Sequence, residues 1–214
     1  SGISGTYHAA VTAAQELLEK FGRRFIHIVD SRGCGFGNGI LAMHAAELSR
    51  QGVEASSAAG ILDAEVPHVC QYFTVGDLNF LKSTGRVSGV TAMMANVLNI
   101  KPILYGNRDG KIVSCEKVRG RRKAIEALAE KYREKHEPVS HPNVYISHGD
   151  CLEDAQKLTP RALFRRACGT GHAGPVLSWK GEMSRSYFPQ ISLLLHQIDI
   201  YAMMPLSPEG MRVS

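Results

Sequence analysis

The hydrophobic period of the first fifty residues switches from helical to strand-like and back, and that switch limits the fold most. Tyr7, Ala10, Val11, Ala14, Leu17, Leu18 and Phe21 recur at helical spacing, and Gly22 stands where such a helix would stop. Phe25-Ile26-His27-Ile28-Val29 is a short apolar run with β-branched residues and reads as a buried strand. A glycine-rich stretch from Gly33 to Gly39 follows. Leu41, Ala45 and Leu48 then share one face of a second helix that closes at Gly52. Helix, strand and helix with short connections predict an α/β layer on a parallel sheet.

Past residue 65 the pattern changes. Val69–Val75 reads as a strand, Asp77–Leu81 as a short helical turn, and Thr84–Gly89 as a loop leading into the apolar stretch Val90–Leu98. Lys101–Tyr105 and Lys111–Val118 are strands joined through Asn107-Arg108-Asp109-Gly110, whose Asp-Gly pair signals a hairpin. Arg121–Glu134 is an amphipathic helix with Ala124, Ile125, Leu128 and Tyr132 inward. Asn143–Ser147 is a further strand, and the helix opening at Leu152 is expected to break at Pro160. From Thr159 the periodicity dissolves, with only a weak helical pattern over Ser192–Ile200. The chain therefore divides into residues 1–65 of a first lobe, 66–158 of a second, and an atypical tail from 159 to 214.

Composition narrows the function classes. The 214 residues are 44% apolar and 21% charged, ordinary for a chain that buries a core. No apolar run approaches the ~20 residues of a membrane-spanning helix. The net charge of +5 suits a small anionic ligand as well as an acidic partner. Five widely spaced cysteines, none in a C-x-x-C pair, point to reduced thiols in a cytoplasmic protein. Ser1-Gly2-Ile3-Ser4-Gly5-Thr6 reads as the interior of a loop rather than a natural start.

That opening loop is the best anion site in the sequence. Ser1, Ser4 and Thr6 supply hydroxyls, Gly2 and Gly5 let backbone approach a ligand, and a helix N-terminus follows at once. The competing reading is that Ser4 or Thr6 only caps the helix. Gly33–Gly39 misses the dinucleotide fingerprint, because Asn38 stands where its last glycine is required. Those glycines read instead as tight helix–sheet packing or a ligand wall. Five cations in Lys117–Lys123 form either a solvated face or an anion-facing cluster with Arg86 as companion. No aromatic stacking pattern or helix-turn-helix accompanies them, so nucleic acid is disfavoured. No metal-ligand spacing, G-x-S-x-G elbow or cofactor motif is present.

In their order, these motifs resemble the DegV family of bacterial fatty-acid-binding proteins. The matching pieces are Ser1–Tyr7, Val29-Asp30-Ser31-Arg32 with its glycines, Phe73–Leu78, Leu81–Gly89, Leu98–Leu104, Asp109–Ile112 and Glu116–Arg119, together spanning roughly residues 1–157. The resemblance implies a two-lobed α/β fold, with a parallel-sheet first lobe that is incomplete here and a mixed-sheet second lobe. It implies an interior tunnel for one long-chain fatty acid, its carboxylate held by Ser1, Gly2 and Ser4. It also implies that Arg86 and Arg119 serve the head group and a fatty acid kinase partner. The protein would then be a carrier, not an enzyme, presenting the carboxylate for phosphorylation without a cofactor. The alternatives are an enzyme acting on a small anionic ligand at Ser1–Thr6, and a basic RNA-binding module at Lys117–Lys123. The family's N-terminal segment and its closing histidine motif have no counterpart, and Gly171–Pro175 is only an echo of the latter. The expectation is an incomplete gene fragment whose reading frame shifts near residue 159.

Overall fold

The computed structural model describes residues 1–22, 24–76, 99–135, 144–149, 151–163, 177–179 and 198–205. Its elements run α1 (Thr6–Phe21), α2 (Phe36–Arg50), α3 (Ala55–Glu65), a 3₁₀ turn (Val66–His68), β1 (Val69–Val75), β2 (Ile100–Gly106) and β3 (Ile112–Arg119). Then come α4 (Arg121–Lys135), β4 (Tyr145–Ser147), α5 (Leu152–Leu163), β5 (Leu177–Trp179) and β6 (Ile198–Pro205). The strands form one mixed sheet in the order β3-β2-β1-β6-β4-β5, antiparallel except for the parallel β4–β5 pair.

Strand alternation decides what each face of β1 meets. Cys70 and Tyr72 turn toward the main core, where Ile103, Ile146 and Val144 meet Ala124, Ile125, Leu128 and Tyr132 of α4 and Ala155 and Leu158 of α5. Val69 turns the other way and joins Leu41, Leu48, Leu62 and Val66 around α2 and α3. Arg121 ties the two helices of the main core, its Nε donating to Asp154 Oδ2 at 2.7 Å. Burial would raise the Asp154 carboxyl, but the hydrogen bond and charge of Arg121 outweigh it and hold the group below its ordinary value. The β2–β3 turn closes as its Asp-Gly predicts, with Gly110 at φ 69 and Asn107 N–H donating to Lys111 O at 2.9 Å.

Several local expectations need correction. Phe25–Val29 forms no ladder with any described strand, and Phe25 is 55% exposed. An extended apolar run becomes a strand only where another edge offers its hydrogen bonds. Only Ala14 of the α1 stripe is buried, whereas Leu17 and Phe21 are 45% and 60% exposed. Helix α5 continues through Pro160 to Leu163. Proline so near a helix end removes one rung of the ladder without ending the turn that follows. Ile198–Pro205 is a strand rather than the end of a helix, paired along β1 from Val69↔Pro205 to Val75↔Ile198. Helix α3 has no counterpart among the sequence expectations. Its start is set by Glu54, whose carboxylate accepts the N–H groups of Ser56 and Ser57 at 2.9 and 3.3 Å. The turn at Asp77–Leu81, the loop at Thr84–Gly89 and the stretch Val90–Leu98 lie outside the described residues.

Candidate functional site

The opening loop sits on two supports. Ser1 Oγ donates to Asp30 Oδ2 at 2.6 Å, and the Ser1 nitrogen donates to Asp30 Oδ1 at 3.1 Å. On the other side Gly2 lies against the β2–β3 turn so closely that a Cβ there would stand 2.1 Å from the Asp109 carbonyl oxygen. Gly2 is therefore a glycine because backbone meets backbone at that point.

Ser4 and Thr6 share a hydrogen between their hydroxyls at 2.8 Å, and Thr6 N–H donates to Ser4 Oγ at 3.2 Å. Ser4 thus braces the start of α1, whose N-cap is Gly5 with no side-chain cap of its own. With Thr6 as the hydroxyl donor, the Ser4 proton remains available to an anion. The first ladder bond of α1 runs from Ala9 N–H to Gly5 O, so the Tyr7 and His8 amides precede the ladder. Ser1 differs, because its one hydroxyl proton is committed to Asp30. Burial would raise the Asp30 carboxyl, but hydrogen bonds from Ser1 and from the Arg32 N–H hold it below the ordinary carboxylate value.

The glycine-rich stretch resolves as packing against one side chain. A Cβ at Gly33 or Gly37 would stand 2.2 or 1.4 Å from Gln71 Nε2. Gln71 Oε1 also accepts the Cys34 N–H at 3.3 Å. Gln71 is the residue that sequence reasoning missed. Its signal is a polar side chain at an inward position of the strand Val69–Val75, where an amide needs a polar partner. Beside it, a cleft of about 60 Å³ is bordered by polar Ser31, Arg32, Gln71, Asn107 and Arg108 and by apolar Val66, Pro67 and Val69.

The remaining candidates do not converge on this loop. Arg119 is exposed at the far end of β3, opposite Ile100. The opening loop lies at the Gly106–Ile112 end of the same ladder, about 20 Å away at 3.2–3.4 Å per residue. Arg86 lies outside the described residues. The cation run is divided: Arg121 is engaged with Asp154, and Arg122 lies 3.8 Å from Glu126. Burial pushes the Cys70 and Cys115 thiols up from their ordinary value. Among the described residues no His, Cys, Asp and Glu cluster could hold a metal, and no helix is long and apolar enough to cross a membrane.

The family model described as "Uncharacterised protein, DegV family" matches residues 1–177. A DegV domain-containing protein of Clostridium perfringens is 36% identical over 161 residues, which are 74% of this chain and 54% of that protein. The chain thus spans about half the length of that relative. The fatty acid binding DegV family protein of Streptococcus agalactiae superposes with a TM-score of 0.75 at 26% identity, over 96% of this chain and 68% of that one. The Fatty Acid Kinase (Fak) B3 protein of Streptococcus pneumoniae, loaded with linoleic acid, superposes at 0.76 over 95% of this chain and 68% of its own, and at 18% identity speaks to fold alone. The matched model covers the opening loop, the glycine-rich stretch and strands β1 to β4, and this chain belongs to the DegV family.

Proposed function

We propose that the protein binds one long-chain fatty acid in the cytoplasm, holds its carboxylate at the Ser1–Ser4 loop, and presents it to a fatty acid kinase. The protein itself acts as a carrier, and the acyl phosphate is made by the partner. The observation that carries this reading is the likeness to a fatty-acid-binding DegV protein at 26% identity and a TM-score of 0.75.

The geometry of the loop supports it. The Ser4 hydroxyl and the first amides of α1 are donors suited to a carboxylate. Gly2 fixes where those donors stand by locking the loop onto the Asp109–Gly110 turn. Arg86 and Arg119 are the candidates for serving the head group and the kinase, and Arg119 lies at the exposed end of the sheet away from the opening loop. Two roles at two ends agree with one group meeting the ligand and another meeting the partner.

Turnover with the kinase tests this. Protein loaded with a C16–C18 acid, a length suited to a domain-sized tunnel, is expected to yield acyl phosphate. Arg86→Ala is expected to slow that turnover while the unfolding temperature stays put. Unchanged turnover would remove Arg86 from the role, and no acyl phosphate from the wild type would remove the presenting function itself.

A further inference from the structure

Gln71 belongs to β1, yet its side chain meets a segment thirty-seven residues earlier. Only 9% of the residue is exposed. Its Oε1 accepts the Cys34 N–H at 3.3 Å. The three atoms nearest to a Cβ built at Gly37 are the Nε2, Cδ and Oε1 of Gln71, at 1.4, 2.5 and 3.3 Å. Burying an amide costs its hydration unless a hydrogen bond replaces it, so an apolar side chain of the same length would serve packing alone as well. The amide is matched instead to the backbone at Cys34.

That backbone leads straight to the opening loop. Between Asp30 and Cys34 the chain folds back on its own side chains. The Arg32 N–H donates to Asp30 Oδ1 at 3.3 Å, and the Gly33 N–H donates to Ser31 Oγ at 3.4 Å. Ser31 Oγ in turn donates to Asn38 Oδ1 at 2.6 Å, which joins this turn to the start of α2. Arg32 stands at φ 50, a left-handed conformation that a residue with a Cβ keeps only where its surroundings fix it. At the other end of the turn, Asp30 accepts both hydrogen bonds of Ser1. A shift at Cys34 is therefore passed through a closed turn to the anchor of the loop.

We propose that Gln71 is a positioning residue for the carboxylate of the ligand. It holds the Asp30–Cys34 turn, and through Asp30 and Ser1 it sets where the Ser4 hydroxyl and the first amides of α1 stand. The proposal rests on the fatty-acid reading above. Groups that bind a head group must be held within about 0.5 Å, and the residues behind them do the holding. Because Gln71 acts through the turn, its effect falls on the head group and not on the alkyl chain.

Titration calorimetry with palmitate and with hexadecanol, which has the same chain length and an uncharged head, tests this role. Gln71→Ala is expected to weaken palmitate binding about tenfold and hexadecanol binding less than about twofold. A change that merely loosens the fold weakens both alike. Gly37→Ala disturbs the same seat from the other side while keeping Gln71, and the same selective loss is expected. It serves equally if Gln71→Ala, which strips the Cys34 N–H of this acceptor, fails to fold. In the double variant the new Cβ at position 37 takes room that the Gln71 side chain has left. Palmitate should then weaken no more than about twofold beyond the Gln71 variant alone. Palmitate labelled with carbon-13 at both ends gives a second readout, in which the carboxyl resonance moves in each variant and the methyl resonance stays. Equal losses for the two ligands, no loss for palmitate, or losses that multiply in the double variant would overturn the positioning role and leave the fatty-acid reading standing. Wild-type protein that takes up no palmitate would overturn that reading and the proposal with it.

Discussion

Leu128→Ala is expected to lower stability by about 2–5 kcal/mol, the range for truncating a large buried aliphatic side chain. Leu128 is fully buried, and it belongs to the cluster in which α4 meets the sheet and α5. Removing it takes away transfer free energy and leaves a cavity between elements that cannot close on it. Ile103 and Ile146 are fixed by strand pairing, while Arg121–Asp154 holds α4 to α5. The same truncation at Leu17, which is 45% exposed, is expected to change stability by less than about 1 kcal/mol. Urea unfolding measures both, as a fall in midpoint with an unchanged denaturant slope. A loss at Leu128 no larger than at Leu17 would mean that the α4–sheet contact is not the main core.

Gly2→Ala is expected to have the largest effect on ligand binding of any change in the opening loop. The added Cβ would stand 2.1 Å from the Asp109 carbonyl oxygen and 2.6 Å from the Gly110 carbonyl carbon, both backbone atoms. Neither can rotate aside as a side-chain tip would. Either the loop or the turn must move, at a cost of about 1–3 kcal/mol for overpacking. The Ser4 hydroxyl and the α1 amides move with the loop. Affinity for a C16 acid is therefore expected to fall about tenfold or more, which is 1.4 kcal/mol or more of binding. Gly5→Ala is the matched comparison, because nothing lies within 4 Å of a Cβ there. Calorimetric titration of both variants should separate them clearly. Equal affinities would mean that the loop's seat on the Asp109–Gly110 turn has no bearing on the ligand.

Much of this fold is legible in the residues. The alternation of Val69–Val75, the Asp-Gly turn and the inward face of α4 all follow from local patterns, and the structure keeps their boundaries within a residue or so. What is not legible depends on partners distant in sequence. Phe25–Val29 has strand chemistry but no described edge to pair with. Ile198–Pro205, which carries no clear pattern of its own, lies along β1 because that strand has a free edge beside it. The glycine-rich stretch shows the same limit at the site. Its spacing excludes a dinucleotide, yet only the fold reveals that Gly33 and Gly37 make room for Gln71. The Ser1–Asp30 bond joins residues twenty-nine positions apart, and no spacing rule announces it.

The central claim is that this protein carries a fatty acid at its opening loop. Native mass spectrometry of the purified protein tests it most directly, because a bound lipid adds its own mass to the protein ion. One equivalent of a C16–C18 acid, released on denaturation, is the expected result. Protein that carries no lipid, and takes none up when incubated with such an acid, would contradict the claim.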